Sequence, residues 1–124
     1  MTAPSRPDVA SFLSTAKVAI KLGFDTWLPG AADRQHLIDL NITQNQALEY
    51  IQQLTPDNYS NGPLPDDTKP DRHVWVFGAE IGGTEAYIKL ALQPDKKRRT
   101  VTHVLIWSFH KADRSMSYPL RQTK

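Results

Sequence analysis

Apolar and polar positions alternate with period two along three successive runs in the second half of the chain, residues 73–81, 84–92 and 100–110. Successive side chains of a strand point to opposite faces, so each run predicts a strand with one apolar side. In the middle run Ala86, Ile88, Leu90 and Leu92 form the core set, with Glu85, Tyr87 and Lys89 opposite. In the first run Trp75, Phe77 and Ala79 point inward and Glu80 toward the other side. In the last run Leu105, Trp107 and Phe109 are the bulkier apolar set and are assigned to the core. Val104, Ile106, Ser108 and His110 are then left opposite. Gly82-Gly83 is a two-residue hairpin signal, and residues 94–99 read as a longer polar turn. The three runs predict an antiparallel meander.

The first half carries a helical period instead. Val9, Phe12, Leu13, Ala16, Ala19 and Ile20 recur at spacings of three and four, which predicts a helix over residues 8–22. Asp8 caps its start, Gly23 ends it, and Lys17 and Lys21 lie on its wet side. Residues 24–28 are a short extended candidate and 31–40 a short helix. Thr43 and Gln46 have capping-box spacing before a helix whose Ala47, Leu48, Ile51 and Leu54 face inward. Thr55 caps a further turn, with Pro56 in its first position. Residues 60–72, rich in Pro, Gly and Asp, read as a long loop.

Strands segregated from helices predict an α+β fold: an antiparallel sheet of three or four strands with two to three helices packed on one face. One domain over residues 8–112 is expected, between a flexible arm at 1–7 and a basic tail at 113–124. The uncovered face carries Tyr87, Lys89 and His110.

Composition narrows the function classes. With no cysteine among 124 residues, disulfides and thiolate metal sites are excluded. No apolar run approaches the ~20 residues of a membrane span, and the first residues lack the apolar core of a signal peptide. A cytoplasmic protein with no membrane partner is the expectation. The net charge of +2 hides an asymmetry: residues 1–95 sum to −5, and residues 96–124 to +7. Lys96, Lys97, Arg98, Arg99 and Arg114 belong to that basic end, which points to an anion-binding surface such as one for RNA. A solvated loop and a frayed tail would give the same count.

Tyr, Lys and His on one face could bind a phosphate backbone and move a proton. For RNA cleavage without a metal, the activity that the resemblance given below implies, a base is needed for the 2′-hydroxyl, an acid for the leaving 5′-oxygen and a cation for the phosphorane. His110 fits the proton-transfer role. Lys89 or Arg114 fits the phosphate, Tyr87 fits a phosphate donor or a stacking ring, and Glu80 fits a second proton-transfer group. Plainer roles stay open: a strand-end His110 bonded to backbone, a Tyr87 that packs across strands, an exposed Lys89. His103 reads as structural. His36 and His73 stand isolated, with no metal-ligand spacing, so neither a metal nor another cofactor is expected. Trp27, Trp75 and Trp107 read as core, the last two side by side.

The series Trp75-Val76-Phe77-Gly78, Ile81-Gly82-Gly83-Thr84, Tyr87-Ile88-Lys89-Leu90 and Ser108-Phe109-His110 resembles the C-terminal half of the MqsR-type toxins of bacterial toxin–antitoxin modules. The segment from Leu54 to Tyr59 resembles the stretch before that sheet, so the likeness covers about residues 35–112. The resemblance implies a RelE-like α+β domain, a metal-independent endoribonuclease that cleaves single-stranded mRNA, and a cognate antitoxin as protein partner. Tyr87 matches the family's active-site tyrosine, and His110 stands where many members have lysine or histidine. Ser60 replaces a family lysine and Val76 a family glutamine. Those departures favour the alternative, a non-catalytic RNA- or DNA-binding module on the same basic sheet. A partner-binding domain that offers a strand edge is the third reading.

Overall fold

Ser5 opens the first helix. Its hydroxyl accepts from the Asp8 N–H at 3.3 Å while the Asp8 carboxylate accepts from the Ser5 N–H at 3.1 Å, so two otherwise unpaired donors are satisfied reciprocally. In the computed structural model, which describes residues 4–31, 33–66, 69–98 and 100–121, helix α1 (Arg6–Lys21) thus starts two residues before the predicted position. Part of the expected flexible arm belongs to it. Asp8 is the third residue of the helix, not its cap. Gly23 follows the helix with φ at 82°, as its spacing predicts.

Strand β1 (Asp25–Trp27), helix α2 (Arg34–Asp39) and helix α3 (Gln44–Gln52) come next. The Thr43–Gln46 box caps α3, and Thr55 caps a 3-10 turn over Pro56–Asn58. Lys17 is not on a wet face: it is half-buried, and its ammonium donates to the Leu54 carbonyl at 2.5 Å. Burial pushes its pKa down.

The four remaining strands are β2 (Tyr59–Asp66), β3 (Lys69–Ile81), β4 (Thr84–Pro94) and β5 (Thr102–Lys111). Among the described residues the sheet has five strands in the order β1-β5-β4-β3-β2; β1 runs parallel to β5 and the other pairs are antiparallel. This exceeds the three or four strands expected, and the sheet is mixed. The fourth antiparallel strand comes from the segment read as a loop, residues 60–72. Its prolines misled: β2 pairs on one side alone, and Pro63 and Pro65 are tolerated on such an edge strand with shifts in register. Gly82 and Gly83, at φ 58° and 81°, make the predicted tight turn between β3 and β4.

The three helices cover one face of the sheet. Phe12 of α1 stacks on Trp75 at 4.7 Å and on Phe77 at 5.9 Å between ring centres, contacts worth roughly 0.5–1.5 kcal/mol each beyond their buried area. The same core takes in Leu13, Ile51, Ile88, Ile106 and Phe109.

The register of β5 corrects the predicted facing. Lys89 pairs with Ser108 but Leu90 pairs with Ile106, so Trp107 is an extra residue in a β-bulge. Phe109 stays in the helix-side core. Beyond the bulge the parity reverses: Val104 and Ile106 are fully buried under the helices, and Leu105 and Trp107 lie on the opposite face. There Leu105 joins Val74, Ala91, Leu64 and Trp107 in a small apolar cluster. Trp75 and Trp107 are therefore not neighbours; they sit on opposite faces. Among the described residues no helix is long and apolar enough to cross a membrane.

Candidate active site

Tyr87 and His110 face each other across β4 and β5. Their rings stack with centres 5.1 Å apart and planes at 14°. Period two puts both on the face away from the helices, together with Val76, Gly78, Glu80, Glu85 and Lys89. A groove of 540 Å³ opens beside the pair, lined by Ser60, Asn61, Val76, Ser108 and the segment from Ala112 to Ser117.

The described part of the predicted basic tail forms one wall of this groove. After β5 the Ala112 N–H donates to the Glu85 carbonyl at 2.9 Å, turning the chain back over the sheet. The Glu85 carboxylate then accepts twice, from the Met116 N–H at 3.0 Å and from the Tyr118 hydroxyl at 2.5 Å. Tyr118 is pushed up to about 12 by burial and by that carboxylate. The segment ends against α1, where Arg6 donates to the Leu120 carbonyl at 2.5 Å and pairs with Asp57 at 2.7 Å. Gly78 leaves the room for this strap: a Cβ there would overlap the Tyr118 hydroxyl and stand 2.9 Å from the Met116 sulfur. The strap carries Arg114 to the rim of the groove.

The His110 ring has a fixed proton. Its Nδ1 lies 2.6 Å from the Lys111 carbonyl oxygen, which can only accept, so Nδ1 carries the hydrogen. In the neutral ring Nε2 is then the bare nitrogen, able to take a proton. The plainer reading of His110 as a strand-end histidine bonded to backbone is what the structure shows, and that bond selects the tautomer. Burial raises the pKa of the Tyr87 phenol, which like any tyrosine is an O–H donor at neutral pH.

The other predicted residues divide. Lys89 shares the face, with its ammonium 5.6 Å from the centre of the Trp107 ring. Glu80 also faces the open side, paired with Glu85, but it borders a separate hollow with Tyr118 and Arg121. Met116 and Tyr118 stand over Gly78; Met116 lines the groove and Tyr118 lines the hollow of Glu80. Lys96, Lys97 and Arg98 sit in the β4–β5 turn, beyond Pro94, the strand end that lies about 23 Å from Tyr87 at the ~3.3 Å rise of a strand. Their turn is organised by Asp95, which accepts from the Lys97 and Arg98 N–H groups and contacts His103 at 3.0 Å. Those bonds, His103 first, hold the Asp95 carboxyl down at about 2. Arg99 lies outside the described residues.

Sequence reading missed Asn61, an ordinary polar residue whose approach depends on β2 pairing with β3; Ser108, already placed on the face of His110, lines the groove through its pairing with Lys89 of β4. Sequence reading also left His36 isolated. That ring, carried by α2, lies 5.4 Å from the His110 ring, because β1 pairs with β5 only at residues 104–106 and α2 packs beside what remains. Among the described residues no three His, Asp or Glu side chains come together as a metal-ligand set.

No family model, curated protein or solved structure matches the chain.

Proposed function

We propose that this chain is an endoribonuclease of the MqsR-like, RelE-like toxin type, cutting single-stranded mRNA without a metal and restrained by an antitoxin partner. One observation carries the reading. The four positions compared with the family pattern, Tyr87 and His110 as matches and Ser60 and Val76 as departures, come from four different strands and line one groove. Arg114 joins them there and supplies positive charge.

In this reading His110 Nε2 takes the proton of the 2′-hydroxyl. The 2′-oxygen forms its bond to phosphorus as the bond to the 5′-oxygen breaks, giving a 2′,3′-cyclic phosphate. Tyr87, protonated at neutral pH, gives its proton to the departing 5′-oxygen and regains one from solvent. Arg114 holds the charge that builds on the phosphorane. Ser60, Asn61 and Ser108 provide neutral hydrogen-bonding groups in place of the two polar residues the family pattern has. Glu80 has no role in this reading, because it lines a separate hollow and not the groove.

The test is cleavage of a mixed mRNA pool, read by mapping new 5′ ends. His110→Ala and Tyr87→Phe should each lower the rate by ~10²–10⁴-fold, the usual worth of one acid or base. Excess EDTA should leave the wild-type rate intact. Growth arrest on induction gives a parallel readout. A folded His110→Ala protein that cuts at the wild-type rate would refute the assignment. RNA that binds but is never cut would favour the binding module, the reading that the apolar Val76 supports.

A further inference from the structure

The bulge in β5 does something the core does not require. Without an extra residue, Trp107 would alternate with Phe109 and pack under the helices. The insertion turns it to the open face instead, half-buried against Leu64, Val74, Ala91 and Leu105. Bulges re-aim side chains and are frequent beside active sites. Two cations attend the half-buried indole. The Arg72 guanidinium lies 5.1 Å from its ring centre and the Lys89 ammonium 5.6 Å. Arg72 is itself anchored, with Nε on Asp66 at 2.6 Å and Nη1 on Gln93. Its plane is thus preset, whereas the Lys89 ammonium rests over the ring on a half-buried, flexible stem.

The place of this cluster on the sheet matters as much as its chemistry. Lys89 and Ser108 are the pair two residues along the strands from Tyr87 and His110, a step of about 6.6 Å. That is the reach of one extended nucleotide. Farther along the same strands comes the basic turn with Lys96, Lys97 and Arg98. Trp107 and Arg72 therefore stand between the groove and the second basic region, where a single strand passing from one to the other must cross.

We propose that Trp107, Arg72 and Lys89 form a nucleotide subsite next to the cleavage groove: one RNA base stacks on the Trp107–Arg72 surface and the adjoining phosphate pairs with Lys89. Aromatic and guanidinium planes are the usual supports for unpaired bases. The inference rests on the RNA-cleaving reading of the groove and names where its substrate continues.

The test uses the full chain labelled with 5-fluorotryptophan and a single-stranded 2′-O-methyl hexanucleotide of mixed sequence, which lacks the attacking hydroxyl. Fluorine NMR should show the Trp107 resonance move on titration while Trp27 and Trp75, on the helix side, stay in place. Trp107→Leu should weaken binding about 10-fold or more, in the range of one stacked base. Lys89→Ala should flatten the log–log salt dependence by about 0.7, one phosphate contact on a single strand. If the hexanucleotide binds with all three resonances unmoved, the subsite is wrong and the groove reading stands, to be judged by His110→Ala cleavage. If it does not bind at all, both fall.

Discussion

Gly78→Ala separates the strap from the fold it lies on. At this strand position Ala suits the backbone, so the sheet itself should keep its stability or gain a few tenths of a kcal/mol. The new methyl group, however, would occupy the place of the Tyr118 hydroxyl and press on the Met116 sulfur. Tyr118 can escape only by leaving Glu85, and the Met116 N–H shares that carboxylate. Hydrogen bonds to a charged group contribute about 1.5–3 kcal/mol, and this partly exposed clasp belongs at the low end. Losing one bond shifts strap docking roughly 10-fold toward the open form; losing both approaches 100-fold. The readout is the titration of Tyr118, followed by carbon-13 NMR of labelled tyrosine. In the wild type docking favours the protonated phenol, so it is constant below the ordinary tyrosine value near pH ~10. It weakens as pH rises from there toward the folded value of about 12. In Gly78→Ala the phenol should titrate near its ordinary value. RNA cleavage should fall with it, because Arg114 leaves the groove, while the thermal midpoint stays within a few degrees. A variant whose Tyr118 still titrates at about 12 would refute the docking of the strap on Gly78.

Two further outcomes are expected. Asp95 is held down at about 2 by His103 and the Arg98 and Lys97 N–H groups, so its contribution to the β4–β5 turn is full above its unfolded value near ~3.9 and fades as pH falls toward 2. Hydrogen exchange at the Lys97 and Arg98 amides should therefore quicken across that window in the wild type and at all pH values in Asp95→Ala. Replacing Lys96, Lys97 and Arg98 by Ala should flatten the salt dependence of RNA binding by up to ~2 units if each contacts a phosphate; an unchanged slope in a binding titration would take the turn off the RNA path.

The sequence by itself determined the parts of this protein that depend on local periodicity and local chemistry. The amphipathic stripe from Val9 to Ile20, the Thr43–Gln46 and Thr55 caps and the Gly82-Gly83 turn are settled within a few residues of chain, and each lies where its pattern placed it. That Tyr87 and His110 share a face was legible because strict alternation holds from each residue to its strand end; that they pair directly was not. Alternation stops being a guide where a residue is inserted: the bulge at Trp107 leaves no mark in the apolar pattern, since Leu105, Trp107 and Phe109 are all large and apolar. Only the neighbouring strand, by pairing Leu90 with Ile106, sends Trp107 to the open face. Residues 60–66 likewise have loop composition and become a strand because β3 offers an edge and Tyr59 a buried anchor. The groove walls were least legible of all. Arg114 and Asn61 reach the Tyr87–His110 pair only through long-range contacts, the Glu85 clasp and the β2–β3 pairing, which no local pattern in the chain encodes.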